Sequence, residues 1–118
     1  MVLYKNGSGE ISKIGRLCKV NPKDPQSFIY ADPGDVNILG IITQSVPRYA
    51  PCKIANTGVT KVFCYEAVAE GSVIRAAKTS DNISRATCKA AKSNDIPYYK
   101  IGIAIKSGKG GSVPMRIT

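Results

Sequence analysis

Residues that could perform chemistry are few in this chain, and histidine is absent from all 118 positions. Most of the eight carboxylates lie in turn-forming stretches: Asp24, Asp32, Asp35, Glu70, Asp81 and Asp95. Aspartate is common in turns because its side chain accepts hydrogen bonds from nearby backbone amides. No serine-nucleophile, zinc-helix or calcium-loop motif occurs, and a cysteine nucleophile would lack its histidine base. The sequence therefore predicts a protein that is not an enzyme and that uses no cofactor.

The four cysteines are Cys18, Cys52, Cys64 and Cys88, separated by 33, 11 and 23 residues. A Cys/His zinc site is impossible without histidine, and a four-cysteine site would need ligands from four separate strands. Each cysteine has apolar neighbours, which favours buried, reduced thiols that pack as small hydrophobic side chains. A disulfide is the main alternative and a metal site the lesser one, so we predict no metal site.

Positive charge is concentrated in the second half of the chain. Residues 71–118 carry nine basic residues against two acidic ones, whereas residues 1–70 carry eight against six. A basic surface can bind nucleic acid or an acidic protein surface. Nucleic-acid modules interleave aromatic and basic residues so that bases can stack, and only Tyr98-Tyr99-Lys100 has this pattern. A basic nucleic-acid-binding β module is therefore the alternative function.

One glycine-rich stretch, S-G-K-G-G-S at 107–112, is superficially similar to a phosphate-binding loop. A P-loop needs four residues between its glycines, followed by Lys-Ser/Thr and a helix. Here a strand-like segment follows at the end of the chain, so the stretch predicts a flexible β-turn.

Short strands must position whatever surface the protein uses. The stretch 51–74 alternates apolar and polar residues and is punctuated by Asn56-Thr57-Gly58 and Glu70-Gly71, which predicts about three strands. Gly40 inside an apolar run predicts a bulge or a close backbone approach, and Pro114 predicts an edge position for the last strand. No long helical period and no repeat at a solenoid period is visible. The fold class is all-β: a small sandwich or barrel of short strands, with residues 14–118 as a single β domain.

Residues 1–13 are rich in glycine, serine and lysine, and Gly7-Ser8-Gly9 is typical of a flexible joint. They are predicted to form a flexible N-terminal arm with an apolar tip at 2–4. The chain has no apolar segment long enough to span a membrane and no secretory signal, so neither a membrane partner nor export is expected.

The order of glycine-containing strands resembles that of the decoration, or head auxiliary, proteins that bind the outside of tailed-bacteriophage capsids. The resemblance covers residues 14–118 and is carried by Gly40-Ile41-Ile42-Thr43, Ile54 to Val59 through Gly58, Val62 to Val68, Glu70-Gly71-Ser72-Val73-Ile74, Lys100-Ile101-Gly102-Ile103-Ala104 and Gly111-Ser112-Val113-Pro114-Met115-Arg116.

This resemblance implies a phage virion structural protein that is made in the host cytoplasm and lies on the outer capsid surface. It would stabilise the shell by bridging major capsid protein subunits, since a ligand that binds only the assembled lattice favours that lattice. The family also implies a homo-oligomer, with a trimer favoured. The residues predicted to contact the capsid are those of the arm and the basic residues near it: Val2, Leu3, Tyr4, Lys5, Lys13 and Arg16.

Overall fold

The computed structural model describes residues 1–35, 37–76, 88–90, 100–108 and 111–117. These residues form ten strands and no helix, so the predicted all-β class is confirmed. The strands are β1 Val2–Asn6, β2 Leu17–Asn21, β3 Asp24–Tyr30, β4 Gly40–Ile42, β5 Pro51–Ala55, β6 Val59–Cys64, β7 Val73–Ala76, β8 Cys88–Ala90, β9 Lys100–Ala104 and β10 Gly111–Ile117. None of the described segments is a helix of the length and apolarity needed to cross a membrane.

The strands close into two barrels of five. The N-terminal barrel has the cyclic order β1-β3-β2-β4-β5, and the C-terminal barrel has the order β10-β6-β8-β7-β9. In each barrel the first strand in the chain pairs in parallel with the third and antiparallel with the fifth. Counted within its own barrel, each set therefore has the same order, 1-3-2-4-5, and the chain contains the same barrel topology twice in succession.

Equivalent backbone hydrogen bonds recur in the two barrels. The Gly15 N–H donates to the Ile42 carbonyl at 2.8 Å, and the Gly71 N–H donates to the Ala104 carbonyl at 2.8 Å. Both glycines close a tight turn before the second strand of their barrel, with φ of 87° and 81°. Positive φ is open to glycine because it has no Cβ, so the same residue type recurs at the same structural position.

Glycines in the two fourth strands also correspond. A Cβ on Gly40 would overlap the carbonyl of Ala55 in β5, and a Cβ on Gly102 would overlap the carbonyl of Arg116 in β10. The close backbone approach predicted at Gly40 is thus confirmed, and it occurs twice. In both barrels the fourth and fifth strands can approach this closely only because the side chain is missing.

Two hydrophobic clusters fill the molecule. The interior of the N-terminal barrel is formed by Cys18, Phe28, Ile42, Cys52 and Ile54. The larger cluster combines the interior of the C-terminal barrel with Leu17, Ala31 and Ile41 of the N-terminal barrel. Because strand residues alternate between faces, Leu17 and Ile41 point away from Cys18 and Ile42, so one outer face of the first barrel is buried against the second.

The N-terminal segment differs from the predicted flexible arm. Val2–Asn6 is β1, paired with both β5 and β3, so the boundary expected after residue 13 falls inside the N-terminal barrel. The buried Asn6 is the reason that the strand is hard to recognise, because a polar residue occupies a core position. Its amide donates to the Glu10 and Val46 carbonyls at 2.7 and 3.0 Å, and its oxygen accepts from the Ser8 N–H at 3.0 Å.

The edge position predicted for Pro114 is wrong, because β10 pairs with β6 on one side and β9 on the other. Proline is tolerated there because the ladder to β9 begins one residue later, at Met115, while the Pro114 carbonyl still accepts a hydrogen bond from the Ile105 N–H at 3.1 Å.

Candidate partner-binding face

The described side chains that could take part in chemistry are either scattered or buried. No group of three or more cysteines and carboxylates that could hold a metal occurs among the described residues. Cys18, Cys52 and Cys64 are buried free thiols, which confirms that prediction for three of the four cysteines; the side chain of Cys88 lies outside the described part. Burial raises the pKa of Cys18 to about 12 and that of Cys64 to about 11. These thiols therefore act as apolar packing groups at neutral pH.

The six residues predicted to contact a partner do not form one surface. Val2 and Tyr4 are half-buried against the N-terminal barrel core, whereas Leu3 and Lys5 point outward. Lys13 forms an exposed ion pair of 3.7 Å with Glu10. The Arg16 guanidinium lies 3.9 Å from the centroid of the Phe63 ring in the C-terminal barrel, so it belongs to the contact between the barrels.

Leu3 and Lys5 lie on an open face built by β1 and β5. In the ladder Leu3 is opposite Lys53, and Lys5 is opposite Pro51. All four side chains are exposed, and we call them the β1–β5 face. A cleft of about 440 Å³ lies beside it, lined by Leu3, Tyr4, Lys5, Pro25, Gln26 and Pro51. The face therefore offers two lysines, two apolar side chains and a shallow recess.

The turn that enters β5 carries an unusual backbone conformation. Tyr49 has φ of 65° and is the one non-glycine residue with positive φ in the described ranges. Its side chain is 67% exposed. The Arg48 guanidinium lies 5.4 Å from the ring centroid and donates to the Tyr49 hydroxyl at 3.4 Å. Sequence reasoning misses this pair, because the prolines of the stretch 47–51 indicate only the end of a strand.

The cations of this region have no anionic partner in the described structure. The ion pairs found among the described residues involve Lys13 and Lys19, and none involves Lys5, Arg48 or Lys53. The described residues that line the adjacent cleft include no carboxylate. The β1–β5 face and the 48–49 turn are thus a positively charged, partly apolar surface.

A second exposed patch crosses the C-terminal barrel. Arg116 is opposite Val59 on one side and Ile103 on the other, and Ile103 is opposite Val73. We call these four residues the C-barrel row. Val59 is 53% and Ile103 38% exposed.

The C-barrel row has a buried counterpart in the N-terminal barrel. Leu17 is opposite Ile41, which is opposite Ala55, and these residues correspond in strand order and register to Val73, Ile103 and Arg116. All three are buried, and Leu17 and Ile41 pack against the C-terminal barrel. The surface that the N-terminal barrel buries against its neighbour is thus exposed on the C-terminal barrel.

The cluster 98–100 gives no structural test of nucleic-acid stacking, because Tyr98, Tyr99 and the side chain of Lys100 lie outside the described residues. The glycine-rich stretch 107–112 is described only in part, and there Gly108 exchanges two backbone hydrogen bonds of 2.8 Å with Val68. This bridge fixes the start of the stretch to the loop after β6.

No protein-family model matches the chain, and no curated protein matches it in sequence. Among solved structures, the N base of the head fiber gp8.5 of bacteriophage phi29 matches it with a TM-score of 0.71 and 13% sequence identity. The match covers 99% of this chain and 93% of that one. The chain has the fold of this head-fiber base. That structure belongs to a phage head, as do the head auxiliary proteins that the sequence resembles.

Proposed function

We propose that the chain is a phage virion structural protein that binds the outer surface of the capsid and stabilises it by bridging major capsid protein subunits. The observation that carries the proposal is a fold shared with a phage head-fiber base over nearly the whole chain. Binding that requires an assembled lattice adds its free energy to that lattice. Many copies on one particle multiply the effect.

The β1–β5 face supports attachment to such a shell. Its lysines have no carboxylate partner in the described structure, so docking onto an acidic exterior would cost no ion pair among those residues. Complementary charge accelerates encounter and fixes orientation, while Leu3 and Pro51 supply apolar area that can be buried.

The C-barrel row supports the homo-oligomer, for which the family resemblance favours a trimer. In the N-terminal barrel the equivalent residues Leu17 and Ile41 pack against the neighbouring barrel, which supports a similar contact at this row. Arg116 and Ile103 are the two inner members of the row. A trimer would use a head-to-tail contact, in which the row meets a different surface of the neighbouring copy.

Charge reversal tests the attachment without damaging the fold. Deleting the N-terminus is unsuitable because it removes β1 from the barrel. Lys5→Glu/Lys53→Glu is compared with Lys61→Glu/Lys106→Glu, which makes the same change in net charge at exposed positions of the C-terminal half. Heads of the encoding phage, assembled without this protein, are mixed with each variant and sedimented.

Wild type and the control pair should co-sediment with heads and raise the temperature at which the heads release DNA, while the β1–β5 pair should bind weakly. Failure of the wild-type protein to bind heads would refute the proposed function. Equal binding by both pairs would refute the role of the face alone.

A further inference from the structure

We infer that Tyr49, held by Arg48, is the anchor residue of the β1–β5 face, and that it inserts into an apolar recess rimmed by carboxylates on the partner protein. This inference rests on the proposed function in one respect, because it places that recess on the phage head. Three features of the molecule carry it: the backbone of the turn, the exposure of the ring and the charges around it.

The backbone of the turn favours glycine, yet a tyrosine occupies it. A non-glycine residue at φ of 65° is strained because its Cβ crowds the neighbouring carbonyl. The positive φ at the start of β10 falls on Gly111, at 73°, which by strand register corresponds to Ala50 and not to Tyr49. Tyr49 contributes little packing to the fold, since the residue is 67% exposed.

The backbone that carries the ring is also held in place before any partner arrives. The Tyr49 N–H donates to the Asn6 carbonyl at 2.8 Å, and the Asn6 N–H donates to the Ala50 carbonyl at 3.0 Å. The Asn6 side chain holds the Val46 carbonyl at 3.0 Å. A strained turn bound on both sides presents its side chain at little further cost in conformational entropy, which is the property of an interface anchor.

The surroundings select the chemistry of the partner. The Arg48 guanidinium contacts the Tyr49 ring, and Lys5 and Lys53 are exposed on the β1–β5 face, whose strand β5 begins directly after the turn. None of these cations has a carboxylate partner among the described residues, and Leu3 and Pro51 add apolar area. Tyrosine and arginine are the residue types that most often dominate binding at protein interfaces. A protein surface with an apolar recess and an acidic rim would accept the ring in the recess and pair with the cations at the rim. A nucleic acid would satisfy the cations but would leave the 64% exposed Leu3 without an apolar contact.

The test pairs stability with binding for the full-length chain. Tyr49→Gly removes the ring and the backbone strain, and Tyr49→Phe keeps the ring. Tyr65→Gly is the matched control, since Tyr65 is also well exposed, at 57%, and has no positive φ. Each variant is titrated against heads that lack the protein, against duplex DNA of random sequence, and in a thermal melt followed by circular dichroism.

Tyr49→Gly should bind heads at least about tenfold more weakly, yet melt no lower than wild type because the strain is relieved. Tyr49→Phe should keep head affinity within about threefold, and Tyr65→Gly should bind heads normally while melting lower. Head binding by Tyr49→Gly within about twofold of wild type would overturn the inference. Duplex DNA binding that Tyr49→Gly weakens as much as head binding would overturn the protein partner, whereas failure of wild type to bind heads would overturn the proposed function and the partner together.

Discussion

Replacing Gly40 by alanine should destabilise the protein strongly, because the new methyl group has no space. It would overlap the Ala55 carbonyl and lie 2.8 Å from Cγ2 of Ile54. Both obstacles belong to the neighbouring strand β5, so relief requires β4 and β5 to separate. Overpacking of this kind costs about 1–3 kcal/mol, and a weakened ladder hydrogen bond about 1 kcal/mol more. The expected loss is therefore about 2–4 kcal/mol, which is a large part of the stability of a small protein.

The repeated topology makes the same prediction for Gly102→Ala. Its methyl group would overlap the Arg116 carbonyl and approach Met115 Cγ at 2.6 Å. With an unfolding entropy of about 2 cal/mol/K per residue, a loss of about 3 kcal/mol lowers the Tm by about 12 °C. Thermal unfolding followed by circular dichroism and urea titration measures both variants.

Gly58→Ala is the control that separates the cost of steric overlap from the cost of backbone strain. Gly58 has φ of 80°, and no described atom lies within 4 Å of the place that a methyl group would take, so alanine adds backbone strain alone, about 1–2 kcal/mol. Gly40→Ala and Gly102→Ala should both melt several degrees below this control. A Tm for Gly40→Ala within about 2 °C of wild type would refute the close strand approach, and a clear difference between Gly40→Ala and Gly102→Ala would refute the equivalence of the two sites.

Three further predictions concern buried groups and self-association. Ser12→Ala should cost about 2 kcal/mol, measured by urea unfolding, because its hydroxyl donates to the Gln44 carbonyl at 2.6 Å and accepts from a backbone N–H at 2.9 Å; a loss below about 0.5 kcal/mol would contradict this. Stability should fall as pH rises from 9 to 11, by about 1.4 kcal/mol per pH unit for each thiol, because the unfolded thiols ionise at 9.0 while the pKa of Cys18 is raised to about 12 and that of Cys64 to about 11. Thermal melts of a Cys18→Ala/Cys64→Ala variant should show a shallower pH dependence, and an equal slope would argue against buried neutral thiols. In sedimentation equilibrium Ile103→Asp should weaken self-association, and an unchanged distribution of species would exclude the C-barrel row as the contact.

The fold class was predictable because turns and strand periods are local signals. Asp32 and Asp35 close a turn through a 3.0 Å backbone hydrogen bond, as the Pro-Gly pair between them predicts. The stretch 51–74 does supply three strands. The sequence failed at β1, because its inward residues include Asn6. This asparagine is stabilised in the core by side-chain hydrogen bonds to Ser8, Glu10 and Val46, which an alternating apolar pattern does not reveal.

The repeated barrel topology could not be predicted from the sequence for a related reason. The two barrels share a topology, but apart from the paired glycines their core positions hold different residue types: Asn6 corresponds to Cys64, and Ile42 to Ala104. Gly15 and Gly71, or Gly40 and Gly102, are the recurring sequence signal, and single glycines at about 60-residue spacing are too common to identify a repeat alone. The candidate face was half predictable, since the apolar and basic residues at the N-terminus indicate Leu3 and Lys5, whereas Tyr49 depends on a backbone angle that the sequence does not display.

Differences between the two barrels indicate where the chain has specialised. Phe63 on β6 corresponds to Lys5 on β1, and each points outward from its barrel. Phe63 is covered by Arg16 and its N–H donates to the Gly15 carbonyl at 2.8 Å, so in the C-terminal barrel this position joins the two halves. In the N-terminal barrel the same position carries an exposed lysine. An exposed aromatic residue there would add apolar area to a free surface, whereas lysine is readily solvated. The face that holds the barrels together in one copy of the repeat is thus, in the other copy, available to bind outside the molecule.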